Sequence, residues 1–222
     1  MCNVYFCPPT LAAYMEKSGC CDPNADFRCL PMDKLEQAVI GLLNPNRVAH
    51  VLGCRDTAIA MAKRWGADET DAARAGLLHD ITKALDGERQ LTLAGEYGII
   101  LNAFQQENPK TLHALTGSLV AERLFGENDA VVQAVRHHTT GKADMNLLEK
   151  IIYVADYMEP NRNFPGVETL RELAFSDLNA AVKMGLTMTL ELLKQQGKAV
   201  SPESLEALAW LEGKDKKYVD SK

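Results

Sequence analysis

Asn146-Leu-Leu-Glu-Lys-Ile-Ile-Tyr-Val-Ala-Asp-Tyr-Met-Glu-Pro160 is written for a helix. Asparagine at its start supplies a capping side chain, and the closing proline cannot continue the hydrogen-bond ladder. Leu148, Ile152 and Asp156 recur at four-residue intervals and so share one face. Two of the three belong in a core. The third is a carboxylate, costly to bury unless it is paired or bound to a metal.

The same period extends in both directions from this stretch. Asn46 is expected to cap a helix to Arg64, ended by Gly66, and Thr70 a second one through Lys83, before an Asp86-Gly87 turn. Residues 88–108 carry a weaker helical signal. Thr111 to Phe125 reads as a helix stopped by Gly126, and Asn128 caps the next, which reaches His138. Asp177 opens a long helix to Gln196, with Gly197 as its stop. Ser201-Pro202-Glu203 starts the last, running to about Leu211. There is no strand alternation and no internal repeat. The expected class is all-α, a helical bundle.

Residues 1–43 are expected to form an irregular N-terminal extension, with one short helix striped by Leu35, Val39, Leu42 and Leu43. Residues 44–212 then form the domain, and 213–222 a charged C-terminal tail. The extension holds Cys2, Cys7, Cys20, Cys21 and Cys29, five of the six cysteines, with Cys54 beyond it. Their irregular gaps fit neither paired zinc ligands nor a disulfide framework, so free thiols are expected. With 24 basic and 30 acidic residues among 222, the net charge of −6 argues against a protein built to grip nucleic acid. No run of 18 apolar residues is present, so no membrane span is expected. Met1 to Thr10 lacks the basic start and unbroken apolar core of an export signal, which predicts a cytoplasmic protein.

The chemistry concentrates in the histidines at 50, 79, 113, 137 and 138. Asp80 lies three residues beyond Leu77 and so turns inward with the core. His138 follows Val135 by three and Val131 by seven, on another inner stripe. His113 precedes Gly117 by four, and His50 sits on the first helix of the body. Imidazoles and carboxylates converging from separate helices imply a bound first-row metal, and two ions rather than one. The adjacent His79-Asp80 pair suits this, because the aspartate can bridge ions while the histidine binds one. Two ions can hold a bridging hydroxide and clamp phosphate oxygens during hydrolysis.

The ordered series His50, His79-Asp80, His113, His138, Asp156 resembles the HD superfamily of metal-dependent phosphohydrolases. The stretches RVAHVLG (47–53), AGLLHDITK (75–83), LHALTG (112–117), RHHTTGKADMNLLEKIIYVADYMEPNRNFPGV (136–167) and LREL (170–173) are similar to one branch. That branch is the YqeK-type bacterial symmetrical diadenosine tetraphosphate hydrolases, and the resemblance runs from Asn46 to Leu211.

It implies an HD-domain helical bundle over 44–212 and cleavage of dinucleoside polyphosphates, diadenosine tetraphosphate going to two ADP. It also implies two divalent ions, iron foremost, with manganese, cobalt or zinc as alternatives. By analogy His50, His79, Asp80 and Asp156 hold one ion, while Asp80, His113 and His138 hold the other. His138 rather than its neighbour His137 is the expected ligand. A metal-bridging hydroxide would attack a β-phosphorus in line, with Lys83 supporting the leaving side. Thr139, Thr140 and Gly141 are expected to meet the polyphosphate, and Arg162 and Arg47 to clamp it. The expected partner is a small nucleotide, with no nucleic acid and no membrane, and a homodimer is left open. Two other readings stay in play: an HD phosphohydrolase of a different nucleotide, and a non-catalytic nucleotide-binding sensor.

Overall fold

The computed structural model describes residues 7–18 and 26–219, with side chains through residue 213. Two helices precede the body, α1 (Pro9–Ser18) and α2 (Met32–Leu42). The body continues with α3 (Pro45–Trp65), α4 (Glu69–Leu78), α5 (Gly87–Glu96), α6 (Ala103–Glu107) and a 3₁₀ turn at Pro109–Leu112. Then come α7 (His113–Arg123), α8 (Asp129–His137), α9 (Leu147–Met158), α10 (Val167–Ser176), α11 (Leu178–Gln195) and α12 (Pro202–Val219). The described residues contain no strand, as an all-α reading expects.

Side-chain caps fix most of these starts. Asn128 accepts from the Val131 amide, Asp177 from the Ala180 amide, and Asn146 forms a reciprocal capping box with Glu149. Two caps fall beside the expected positions. Asn44 rather than Asn46 caps α3, because Pro45 takes the first helical position, and Asp68 rather than Thr70 caps α4. Gly66, Gly126 and Gly197 end helices with positive φ.

Four stretches differ more from expectation. The helix through Lys83 stops at Leu78, and residues 79–85 continue as tight turns, with amide bonds from Ile81 to Leu78, Lys83 to Asp80 and Leu85 to Thr82. The extension contains α1, whose Leu11 and Met15, one turn apart, are fully buried in the core. Prolines at 8 and 9 and the nearby cysteines mask that short apolar pair in the sequence. At the other end α12 runs on to Val219, through most of the stretch expected to be a tail. Helix α10, between Pro165 and the Asp177 cap, had no predicted counterpart.

Helix α9 is the hub. It packs against α3, α8, α4 and α11, and buries Leu148, Ile151, Ile152, Val154 and Ala155. Helix α3 lies along α4, and α7 along α8. The expected stripe on α2 is realised, with Leu35, Val39, Leu42 and Leu43 all buried. Cys7, Cys29 and Cys54 are free thiols, while Cys2, Cys20 and Cys21 lie outside the described residues.

Candidate metal centre

Five segments deliver six donors to one buried point. His50 comes from the second turn of α3, His79 and Asp80 from the end of α4, His113 from the first residue of α7, His138 from the end of α8, and Asp156 from α9. His79, Asp80, His113 and His138 are at most 2% exposed. The ligand atoms fall into three overlapping sets, each within 4.8 Å: His50–His79–Asp80, His79–His138–Asp156, and Asp80–His113–His138.

Asp80 divides its two oxygens between two pairs of rings. Its Oδ2 lies 3.5 Å from His79 Nε2 and 3.7 Å from His50 Nε2. Its Oδ1 lies 3.4 Å from His113 Nε2 and 3.6 Å from His138 Nε2. Asp156 Oδ1 closes the first group, 3.1 Å from His50 Nε2 and 3.8 Å from His79 Nε2. The carboxylate thus faces both pairs of rings at once.

All four imidazoles turn the same atom inward. His79 Nδ1 donates to the Gly76 carbonyl at 2.7 Å, His113 Nδ1 to the Lys110 carbonyl at 2.9 Å, and His138 Nδ1 to the Val135 carbonyl at 2.7 Å. His50 Nδ1 faces the Glu159 carboxylate at 3.1 Å. Burial pushes His79 and His113 well below the usual histidine range and His138 down to about 4, so these rings are neutral. A neutral ring that donates from Nδ1 has a bare lone pair on Nε2. Yet His50 and His79 hold their Nε2 atoms 3.2 Å apart, and so do His113 and His138. The facing lone pairs of His113 and His138, and that of His79 turned toward His50, are flanked by carboxylates and are what a cation would satisfy, so the residues fit metal.

The other candidate residues separate into those that reach the cluster and those that do not. Lys83 Nζ is 2.9 Å from His113 Nε2 and 3.9 Å from Asp80 Oδ1, and burial lowers its pKa to about 8. Thr139 Oγ1 sits 3.0 Å from His113 Nε2 and 3.1 Å from His138 Nε2. Arg162 donates to Asp156 Oδ1 at 2.7 Å, and Arg47 pairs with Asp80 Oδ2. Thr140 turns away and donates to Glu203 on α12 at 2.8 Å. Gly141, at φ +65°, packs its backbone near Leu186 and Ala207 and serves the turn. His137 also points elsewhere, its Nδ1 lying 3.2 Å from the buried Glu149. Glu159 is the site residue that pattern reading missed. The signal available was its place in Glu159-Pro160-Asn161-Arg162, three residues after Asp156.

The HD domain family matches residues 47–161, a span that opens three residues before the first donor and closes five after the last. The chain belongs to the HD-domain family. As an HD domain it also aligns with enzymes named symmetrical bis(5'-nucleosyl)-tetraphosphatase. The one from Bacillus subtilis is 37% identical over 76% of this chain and 91% of its own length. That from Halalkalibacterium halodurans is 40% identical over 78% of this chain and 92% of its own. A crystal structure of a predicted HD superfamily hydrolase involved in NAD metabolism, from Clostridium acetobutylicum, superposes on this HD domain with a TM-score of 0.81. It shares 36% identity, over 83% of this chain and 98% of that one. HD domains are metal-dependent, and the His/Asp cluster is where this one could hold metal.

Proposed function

We propose that this chain hydrolyses dinucleoside polyphosphates, cutting diadenosine tetraphosphate symmetrically into two ADP. The observation that carries the reading is Asp80, whose two oxygens face two separate histidine pairs. The names of the B. subtilis and H. halodurans relatives support the substrate, and matching over nine-tenths of each relative supports the same division of the chain.

His50, His79, Asp80 and Asp156 would hold one divalent ion, and Asp80, His113 and His138 a second. Iron is the foremost candidate, and manganese, cobalt or zinc would also suit these donors. Such ions supply Lewis acidity to phosphate oxygens and acidify the attacking water. The chain's own groups do the rest. Lys83, beside both Asp80 and His113, places a cation where charge builds on the leaving phosphate. Thr139 offers a hydroxyl at the same edge. Arg47 and Arg162, each about a third exposed, hold the ligand carboxylates and would offer their remaining N–H groups to a polyphosphate. With Thr140 and Gly141 turned to α12, the substrate contact from this loop falls to Thr139.

Residues 44–212 act as the phosphohydrolase domain, with the preceding helices packed against it. Among the described residues no helix is long and apolar enough to cross a membrane, which suits a cytoplasmic enzyme of small nucleotides. The non-catalytic sensor reading is disfavoured because the full donor set and Lys83 are in place.

Product analysis of anaerobically purified protein with diadenosine tetraphosphate, together with metal counting on the same sample, tests the proposal. Two ADP and about two ions per chain are expected. AMP with ATP would overturn the symmetrical cut, and no turnover by metal-loaded protein would overturn the substrate.

A further inference from the structure

Of the four inward-facing rings, three donate Nδ1–H to a backbone carbonyl and only His50 turns its Nδ1 to a carboxylate. That group, Glu159, is 1% exposed and firmly held. Its Oε2 accepts from the Asn161 amide at 2.7 Å and from Asn161 Nδ2 at 2.8 Å. Asn161 Nδ2 also donates to the Ala49 carbonyl at 3.2 Å, next to His50 in the chain. The Glu159 carbonyl accepts from Arg171 at 3.0 Å. Room for the carboxylate on α3 exists because residue 53 is glycine: a Cβ there would stand 2.5 Å from Glu159 Oε2.

The geometry points to Glu159 as the positioning residue of the ion held at His50, one that makes the two ion positions unequal in affinity. This rests on the two-ion reading above. A carboxylate behind a ligating imidazole fixes its tautomer and raises its basicity. The His50 group therefore combines Asp80, Asp156 and the charge of Glu159. Arg47 and Arg162 pair with the first two of these, which leaves three carboxylates against two guanidinium groups. The His113–His138 group shares Asp80 and has Asp156 only on the His138 side, and Lys83 Nζ stands 2.9 Å from His113 Nε2, where its cation opposes a second one. Electrostatics favours the first position.

The test titrates metal-free protein with Mn²⁺ and follows free ion by electron paramagnetic resonance, alongside metal-free melting temperatures. Wild type should show two classes of site. His138→Ala should remove the weaker class. Glu159→Gln keeps the volume and the acceptor for Asn161 but loses the charge, and should weaken the tighter class about 10–100-fold without moving the metal-free melting temperature. Asn161→Ala, which leaves Glu159 intact but less firmly held, should weaken the same class by less, and serves if Glu159→Gln does not fold. Unchanged affinities in both variants would overturn the proposal, as would equal weakening of both classes in step with a lower melting temperature. Wild type that binds no Mn²⁺ would instead bring down the two-ion reading itself.

Discussion

Gly76 meets Arg55 so closely that a Cβ at position 76 would stand 2.7 Å from the Arg55 Cα and 3.1 Å from its backbone nitrogen. This contact sets the spacing of α3 and α4, and with it the 3.2 Å approach of His50 to His79. Backbone atoms cannot swing aside as a side-chain end would. Alanine at 76 would gain helix propensity worth about 1 kcal/mol but overpack the helix pair by about 1–3 kcal/mol. Gly76→Ala is therefore expected to lower the urea midpoint and to retain metal less well. An unchanged midpoint would show that the helix spacing is set elsewhere.

Asp80 and Lys83 should fail in different ways. Asp80→Ala removes the group that faces both histidine pairs, so bound metal and turnover are expected to disappear together. Lys83→Ala leaves every donor in place and should keep its metal while losing about 10²–10³-fold in kcat. Metal counting on gel-filtered protein beside a product assay separates the two. Full turnover by Asp80→Ala would sink the metal mechanism.

His137 is next to His138 in the chain but turns away from the histidine cluster. Its ring lies 3.2 Å from Glu149 Oε1 and is bonded to the Gln133 carbonyl at 3.1 Å. His137→Ala should keep the wild-type metal content and cost about 1 kcal/mol of stability. If it removed a class of metal site, as His138→Ala is expected to, the two roles would have to be exchanged.

Glu149 gives the fold an acid limit away from the donors. Burial alone would raise its carboxyl, yet His137 and Lys142, 3.2 and 3.0 Å from Oε1, and the bond from the Asn146 amide hold it below the ordinary 4.5. A depressed folded pKa adds stability that is present above the unfolded value and lost as pH falls through the folded one. Wild type should therefore lose this contribution as pH falls below about 4.5. Glu149→Gln should be weaker at pH 7 and flatter on acidification. Superimposable acid profiles from chemical denaturation would contradict this.

Much of the donor set was legible because burial of a polar side chain breaks an apolar period. Asp156 interrupts the stripe of Leu148 and Ile152, and His138 that of Val131 and Val135. What pattern could not show is where the chain leaves the helix. Lys83 reaches the cluster from tight turns after Leu78, a geometry set by packing around Thr82, whose hydroxyl bonds the His113 carbonyl at 3.0 Å. Thr140 looks like its neighbour Thr139 in sequence, yet α12 captures it through Glu203 and Ser204. Glu159 was missed for the opposite reason: its partner His50 is more than a hundred positions earlier, and its place three residues after Asp156 does not name that partner.

The donors are scattered from α3 to α9, and only His79 and Asp80 are adjacent in the chain. Two ions seated among them would together cross-link five segments that an unfolded chain could not offer at once. Linkage then makes folding stability climb with the logarithm of free metal, by about 2.7 kcal/mol when the ion stands at a hundred times its Kd. Scarcity would act twice, idling the catalyst and shifting more of it into forms that proteases clear. The cellular amount of this protein should thus track metal supply even where its synthesis does not.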